Sequence, residues 1–220
     1  MSSSADQVAI FWDYENCSPP SSMSGYELVG QIRDLAHEFG YVKQIKAYSS
    51  HFSEQISPRS FALRSELQSS GVTLTDCPHN GRKNVVDQMI IADMLTFAMD
   101  NPSYKNSSTI IILSGDRDYA YTLSILRLRM FRVVVVAPTL PGAHISLKVQ
   151  ASSFYDWNSI IEGQRKEDKN AVSYGTVEPN SGPFRSKSYN YPITKSPERR
   201  GKDVLFQLQV PLLSEIISYM

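Results

Sequence analysis

The chain has 220 residues, and its 22 Lys and Arg balance 22 Asp and Glu, giving a formal net charge of zero. This length allows one α/β domain with a sizeable core and an appendage. Cys17 and Cys77 lie far apart without C-x-x-C spacing, which argues against a disulfide framework or a zinc ribbon. We see no secretory signal and no apolar run long enough to span a membrane, so we expect an intracellular, cytoplasmic protein without membrane contact.

Apolar runs and helical patterns alternate along the first 160 residues. The predicted strands are 7–12, 43–48, 72–77, 109–114 and 132–137. The predicted helices are about 23–39, 58–70, 84–100, 117–130 and 144–151. Most of the strand runs are β-branched and nearly continuously apolar, as expected for strands covered on both faces. This alternation predicts an α/β fold, with a central and mainly parallel sheet of about five to six strands between helical layers.

The alternating pattern ends near residue 163. Residues 163–203 are rich in Gly, Pro, Ser and Asn without a period, which predicts a disordered linker. They carry nine Lys and Arg against five acids, net +4, whereas residues 1–162 carry 13 against 16, net −3. The predicted organisation is a short arm at 1–6, a domain at 7–162, this mildly basic linker, and an apolar segment at 204–220 of uncertain structure.

Carboxylates follow two of the predicted strands. Asp13 closes the first strand, and Asp116 and Asp118 follow the fourth; Asp87 lies near the start of the helix after the third. Strand ends and helix starts meet at one edge of a parallel sheet, so these four side chains can converge. Carboxylates this close repel one another, and a bound Mg²⁺ or Mn²⁺ would remove that conflict. The pattern favours metal-dependent chemistry on phosphate, although each aspartate alone is as expected for a helix cap.

Other residues near these carboxylates have two interpretations each. Arg82 and Lys83 precede the Asp87 helix, and they either receive a phosphate together with the helix N-terminus or form a solvated turn. Arg117 either contacts substrate phosphate or pairs with a neighbouring carboxylate. Asp93 lies six residues after Asp87 on another helix face, as a supporting or a solvated residue. Tyr14 is a candidate for stacking on a base.

Three ordered motifs resemble the NYN family of PIN-like ribonuclease domains: Phe-Trp-Asp-Tyr-Glu-Asn at 11–16, Lys-Asn-Val-Val-Asp-x5-Asp at 83–93, and Leu-Ser-Gly-Asp-Arg-Asp-Tyr at 113–119. The opening motif is similar to the branch of meiosis regulator and mRNA stability factors (limkains). The resemblance covers about residues 7–162 and implies a PIN-like three-layer α/β/α sandwich that cleaves RNA with one or two Mg²⁺ or Mn²⁺ ions. By matching position, the metal-binding and catalytic set would be Asp13, Asp87, Asp116 and Asp118, supported by Asn16 and Ser114.

Three functions remain open at this point. The first is a ribonuclease, expected to be an endonuclease, that hydrolyses single-stranded RNA in RNA turnover or regulation of gene expression. The second is a module of the same fold that binds RNA or protein without cutting. The third is another doubly wound protein, such as a phosphoacceptor or nucleotide binder, although the chain lacks both glycine-rich nucleotide motifs. Residues 163–220 are candidates for recruiting RNA or protein partners. The sequence does not indicate an oligomeric state, and it gives no support for a peroxisomal location.

Overall fold

The computed structural model describes residues 6–54, 57–78, 81, 83–103, 107–139, 145–164 and 167. Arg82, residues 1–5, most of the predicted linker and the segment at 204–220 lie outside these residues. What the sequence predicts for them stays a prediction.

The described strands form one parallel sheet. They are β1 Gln7–Asp13, β2 Tyr41–Ser49, β3 Val72–Asp76, β4 Ser108–Leu113, β5 Arg132–Ala137 and β6 Ser153–Asp156. Their order across the sheet is β3-β2-β1-β4-β5-β6, and every neighbouring pair is parallel. The chain therefore builds outward from β1 on one side, returns, and builds outward from β4 on the other. This reversal leaves a crevice at the carboxyl ends of β1 and β4.

Helices connect the strands. They are α1 Gly25–Ala36, α2 Pro58–Ser69, α3 Val85–Asp100, α4 Ala120–Leu128, α5 Ile145–Gln150 and α6 Trp157–Ile161. Ser24 and Ser57 cap α1 and α2 with their side chains, and Pro58 occupies the first turn of α2, where no backbone donor is needed. None of the helices in the described part of the chain has the length and apolarity needed to cross a bilayer.

Alternate side chains of the strands enter two separate cores. In β1, Ile10 and Trp12 pack with α1, α2 and α6, whereas Ala9 and Phe11 pack with α3, α4 and α5. Because successive side chains of a strand point to opposite faces, one apolar strand supplies both cores. The result is a three-layer α/β/α sandwich, which confirms the predicted fold class.

The element boundaries differ from the prediction in a few places. The strand β6 and the helix α6 were not predicted, because segments of four and five residues are too short to show a period. The helix α4 begins at Ala120 rather than at residue 117, because a 3-10 turn at Arg117–Tyr119 precedes it. The side chain of Asp116 caps that turn by accepting a hydrogen bond from the Asp118 N–H, so Asp118 lies in the turn and not in α4.

Candidate acidic active site

Three separated segments bring carboxylates to one cavity at the carboxyl edge of the sheet. Asp13 ends β1, Asp116 follows β4, and Asp87 lies in the first turn of α3. All three line a cavity of about 260 Å³. The cavity lies where the strand order reverses between β1 and β4, which is the usual ligand position in open α/β sheets.

Hydrogen bonds hold both oxygens of the Asp13 carboxylate. The Asn16 backbone N–H donates to Oδ1 at 3.2 Å, and Asn16 Nδ2 donates to Oδ2 at 3.0 Å. The Ser114 hydroxyl donates to Oδ2 at 2.9 Å, while Ser114 Oγ accepts the backbone N–H of Asp116 at 3.1 Å. Ser114 therefore ties the end of β1 to the turn that carries Asp116. Of the residues predicted to support the site, Asn16 and Ser114 contact Asp13 directly.

The buried hydroxyl of Tyr119 connects two of the carboxylates. It donates to Asp87 Oδ1 at 2.8 Å and lies 3.5 Å from Asp13 Oδ2. Burial, followed by the charges of Asp13 and Asp87, raises the pKa of Tyr119 far above its ordinary value, so the hydroxyl stays protonated and donates. Tyr119 was not among the predicted site residues. Its place directly after Asp118 could have indicated a contact with a carboxylate, because a buried tyrosine hydroxyl usually has a hydrogen-bond partner.

Asp116 and Asp118 occupy different positions although one residue separates them. Asp116 lines the cavity, and its Oδ1 accepts the Asp118 backbone N–H at 2.9 Å. The side chain of Asp118 is 56% exposed and lies 4.0 Å from Arg117 Nε. Asp118 and Arg117 thus form an exposed pair outside the cavity lining, and such pairs contribute little stability in water. Asp118 acts on the cavity as a nearby charge, because it raises the pKa of Asp87.

Glu15 also lines the cavity, although it was not among the predicted site residues. Its Oε1 accepts the Ser50 backbone N–H at 2.7 Å, and the hydroxyls of Ser50 and Ser49 at 2.8 and 3.0 Å. Burial alone would raise the pKa of Glu15, but these hydrogen bonds lower it below its ordinary value. Glu15 is therefore an ionised carboxylate with a fixed orientation. The signal for it was its place in the first motif, two residues after Asp13.

The cavity concentrates negative charge. Burial is the largest factor that raises the pKa of Asp13 and of Asp87 above 3.8. Neighbouring charges raise them further, since Asp87 acts on Asp13 and other nearby carboxylates act on Asp87. None of the described residues that line the cavity is Lys or Arg. A bound cation would relieve both the repulsion and the cost of burying these charges.

The donor chemistry of the cavity fits Mg²⁺ or Mn²⁺, which prefer carboxylate and carbonyl oxygens and retain bound water. The lining offers carboxylate oxygens from Asp13, Glu15, Asp87 and Asp116, and the Asn16 amide. Within the described ranges, however, no three His, Cys, Asp or Glu side chains are arranged to hold a metal ion. An ion bound by only one or two carboxylates and several waters is ordinary for Mg²⁺.

Two further predicted site residues that the structure describes, Asp93 and Lys83, do not line this cavity. Asp93 accepts hydrogen bonds from Lys46 Nζ at 2.7 Å and from the Tyr48 hydroxyl at 2.6 Å, so it pairs with side chains of β2. Lys83 is exposed just before α3, and Arg82 is outside the described residues. A phosphate-binding role for this turn stays a prediction.

Comparison with protein families gives a match to the NYN domain over residues 7–161. The matched range contains all six strands and every carboxylate that lines the acidic cavity.

Curated relatives resemble part of the chain. Meiosis regulator and mRNA stability factor 1 is 27% identical in Gallus gallus, 26% in Xenopus tropicalis and 27% in Bos taurus, each over 136 residues. The aligned residues make up 59% of this chain, which spans only 7% of the length of each relative. The crystal structure of a protein of unknown function from Vibrio parahaemolyticus has the same fold, with a TM-score of 0.56 and 21% identity, covering 71% of this chain and 96% of that one.

Proposed function

The chain belongs to the NYN domain family, and from this we propose that it is a divalent-metal-dependent ribonuclease. Its substrate is single-stranded RNA, which it hydrolyses internally, in RNA turnover or in the regulation of gene expression. The observation that carries the proposal is the convergence of Asp13, Asp87 and Asp116 from three separated segments on one cavity.

Helix capping does not account for this cluster. The side chain of Asn84 precedes α3 and makes no capping hydrogen bond, and Asp87 is bonded to the Tyr119 hydroxyl. Asp116 caps only a three-residue turn. Holding several carboxylates around one cavity is unfavourable because of repulsion and desolvation, and such arrangements are enriched at functional sites.

The three convergent aspartates and Tyr119 have distinct roles in the proposed reaction. Asp13, fixed by Asn16 and Ser114, is the ligand whose position is most firmly set. Asp116 and Asp87 supply further oxygens, and the Tyr119 hydroxyl orients Asp87. Because burial and neighbouring charges raise its pKa, Asp87 is also suited to accept a proton from an attacking water.

When bound, Mg²⁺ or Mn²⁺ would supply positive charge for orienting a phosphodiester, activating water and stabilising the leaving oxygen. The protein's part is to hold that cation next to the crevice, where the cation would offset the negative charge of the cavity toward RNA. The family and the chemistry of the donors support one or two such ions.

A second candidate function is an RNA-binding module that does not cut. One observation favours it: in the described part of the chain, no three acidic, His or Cys side chains are already arranged as a metal site. This module would retain RNA affinity when Asp116 loses its charge, because a carboxylate that binds no metal only repels phosphate.

The test uses labelled single-stranded RNA and the full chain in EDTA, Mg²⁺ or Mn²⁺, with an Asp116→Asn variant. We expect cleavage that requires metal and falls at least about a hundredfold in the variant, since electrostatic groups at reacting centres commonly contribute that much. The matched control is Asp100→Asn, which removes the same charge from an exposed residue at the end of α3 and should cleave like wild type.

The outcomes separate the two functions. RNA that stays intact with either metal but binds to wild type and variant alike identifies a non-cutting module. Cleavage that continues in EDTA or in Asp116→Asn would contradict the role assigned to the acidic cavity.

A further inference from the structure

An exposed aromatic ring lies beside a second cavity at the same edge of the sheet. Phe61, in the first turn of α2, is 57% exposed. It lines a cavity of about 340 Å³ together with Phe52, Arg64 and Leu74. A single exposed ring is ordinary on a protein surface, so its meaning depends on its neighbours.

Arg64 and Phe61 form a pre-arranged cation–π pair. The Arg64 guanidinium lies over the Phe61 ring, 4.7 Å from its centroid. Arg64 Nε donates to the Ser60 carbonyl at 3.3 Å, and its Nη1 donates to the Phe52 carbonyl. These bonds restrict the guanidinium before any ligand arrives, which lowers the entropy lost on binding. Aromatic rings and guanidinium planes are the surfaces on which proteins stack unpaired bases.

The loop after β2 joins this second cavity to the acidic one. Ser50 lines the acidic cavity, and Phe52, two residues later, lines the second. Because only His51 separates Ser50 from Phe52, their Cα atoms lie within about 7 Å of each other, and the two cavities adjoin along this loop. A single RNA strand can therefore contact both at once.

Tyr14, the residue predicted to stack on a base, is not available for that role. It is only 7% exposed, and its ring packs between Trp12 and Phe52, with centroid distances of 5.3 and 5.0 Å. The Tyr14 ring instead packs against the ring of Phe52, which lines the second cavity. An accessible ring beside Phe52 is instead that of Phe61, which comes from α2, the helix that follows Phe52 along the chain.

We propose that Phe61 and Arg64 bind one unpaired base of an RNA strand whose neighbouring phosphodiester lies at the acidic cavity. In naming RNA as the ligand, this inference rests on the proposed function. Asp76 also lines the second cavity and accepts a hydrogen bond from Ser53, so a neutral base fits there better than a phosphate. A base bound in this way must leave its pair, which selects single-stranded over double-stranded RNA.

The test measures binding without cleavage. The full chain carrying Asp116→Asn is kept in EDTA, and anisotropy gives its affinity for a labelled RNA of about eight nucleotides. Phe61→Ala should weaken binding about tenfold, the loss expected for one stacked base. Phe61→Trp should restore it. The matched control is Tyr41→Ala, which removes a 50% exposed ring at the opposite edge of the sheet and should bind normally.

Strands that lack a single base then locate the contact. Within a series of strands that each lack a different base, one strand should bind the Phe61 protein about tenfold more weakly than the intact RNA does. With that strand, Phe61→Ala should cause no further loss of affinity. Thermal unfolding of each variant checks that the fold is intact. If Phe61→Ala binds like Tyr41→Ala, or weakens every base-deleted strand equally, the ring contacts no particular base and the inference is overturned.

The same measurements separate this inference from the proposed function. Metal-dependent cleavage by wild type, with Phe61→Ala binding unchanged, overturns the base site alone and points to a protein ligand for this ring. Base-specific binding through Phe61 without cleavage in either metal supports the base site and overturns the ribonuclease. An absence of any RNA binding overturns both.

Discussion

The Tyr119 hydroxyl connects two carboxylates of the acidic cavity, because it donates to Asp87 and lies close to Asp13. Its hydrogen bond lowers the pKa of Asp87, so Tyr119→Phe should raise that pKa and reduce the ionised fraction of Asp87, most strongly in acid. We expect cleavage to fall about tenfold, as for the loss of one hydrogen bond to a charged group. The acidic limb of the pH–rate profile should move to higher pH, which rates measured from about pH 5 to 8 would detect.

The control for this change is Tyr121→Phe. Tyr121 lies two residues further along and is 76% exposed, so the loss of its hydroxyl should leave the profile unchanged. A wild-type pH profile in Tyr119→Phe would mean that Asp87 does not depend on this hydroxyl.

Sequence predicts the aspartates of the cavity better than it predicts their partners. Asp13 and Asp87 lie at a strand end and a helix start, positions that parallel topology alone brings to one edge. Glu15 depends on how a loop turns, and Tyr119 depends on how the 3-10 turn before α4 directs its side chain; motif spacing specifies neither. Asp118 was predicted beside Asp116 because both follow the fourth strand and match the family motif; in the structure Asp116 lines the cavity and Asp118 is exposed, and a metal-binding role for Asp118 stays a prediction.

At the scale of elements, α1 packs on α2 through a glycine. A Cβ atom at Gly25 would lie 2.8 Å from Glu66 Cβ and 3.1 Å from the backbone nitrogen of Leu67. The Gly25 N–H also donates to Glu66 Oε2 at 2.6 Å. Gly25→Ala should therefore lower the free energy of unfolding by about 1–3 kcal/mol, the usual effect of overpacking. Urea denaturation followed by tryptophan fluorescence measures this.

Gly30 provides the matched substitution in the same helix. A Cβ atom there would meet nothing within 4 Å, so Gly30→Ala should raise the free energy of unfolding by about 0.5–1 kcal/mol through helix propensity. Equal effects of the two substitutions would show that the close contact between α1 and α2 does not limit stability.

The longer elements can be predicted from sequence because their burial leaves a recognisable apolar pattern. The strands β1, β4 and β5 are almost entirely buried, so their apolar runs are continuous and easy to recognise. The helix α2 was predicted from a helical pattern over 58–70, although in the structure Leu67 is its only buried residue. The short β6 forms because β5 offers it a pairing edge, which is a tertiary cause that local sequence does not contain.

At the scale of the whole molecule, charge is distributed unevenly. Residues 1–162 carry a net charge of −3 and residues 163–203 a net charge of +4. An acidic domain that handles RNA needs cations or a basic region to offset its own repulsion. The acidic cavity explains where a divalent cation would help, whereas RNA recruitment by residues 163–203 stays a prediction from composition.

The acidic cavity should also limit the stability of the domain. Because the pKa of Asp87 is raised in the folded protein, its ionisation opposes folding. The contribution of Asp87 to the free energy of unfolding falls as the pH rises from its ordinary pKa of 3.8 through its pKa in the folded protein, and then stays constant. Asp87→Asn in EDTA at pH 7 should therefore unfold a few degrees above wild type, as for a gain of about 0.5–2 kcal/mol, and the difference should shrink near the ordinary pKa.

Divalent metal should reverse that order of stability. An ion that binds only the folded state stabilises it by mass action, by about 2.7 kcal/mol when its concentration is a hundred times its Kd. Mn²⁺ should therefore raise the unfolding temperature of wild type progressively. It should raise that of Asp87→Asn less, because a carboxylate ligand has become an amide. Thermal unfolding over a Mn²⁺ series measures this without any RNA, and Asp100→Asn should respond as wild type does. If Mn²⁺ raised wild type and Asp87→Asn equally, the cation would bind elsewhere, and the burial and repulsion at Asp87 would need another explanation.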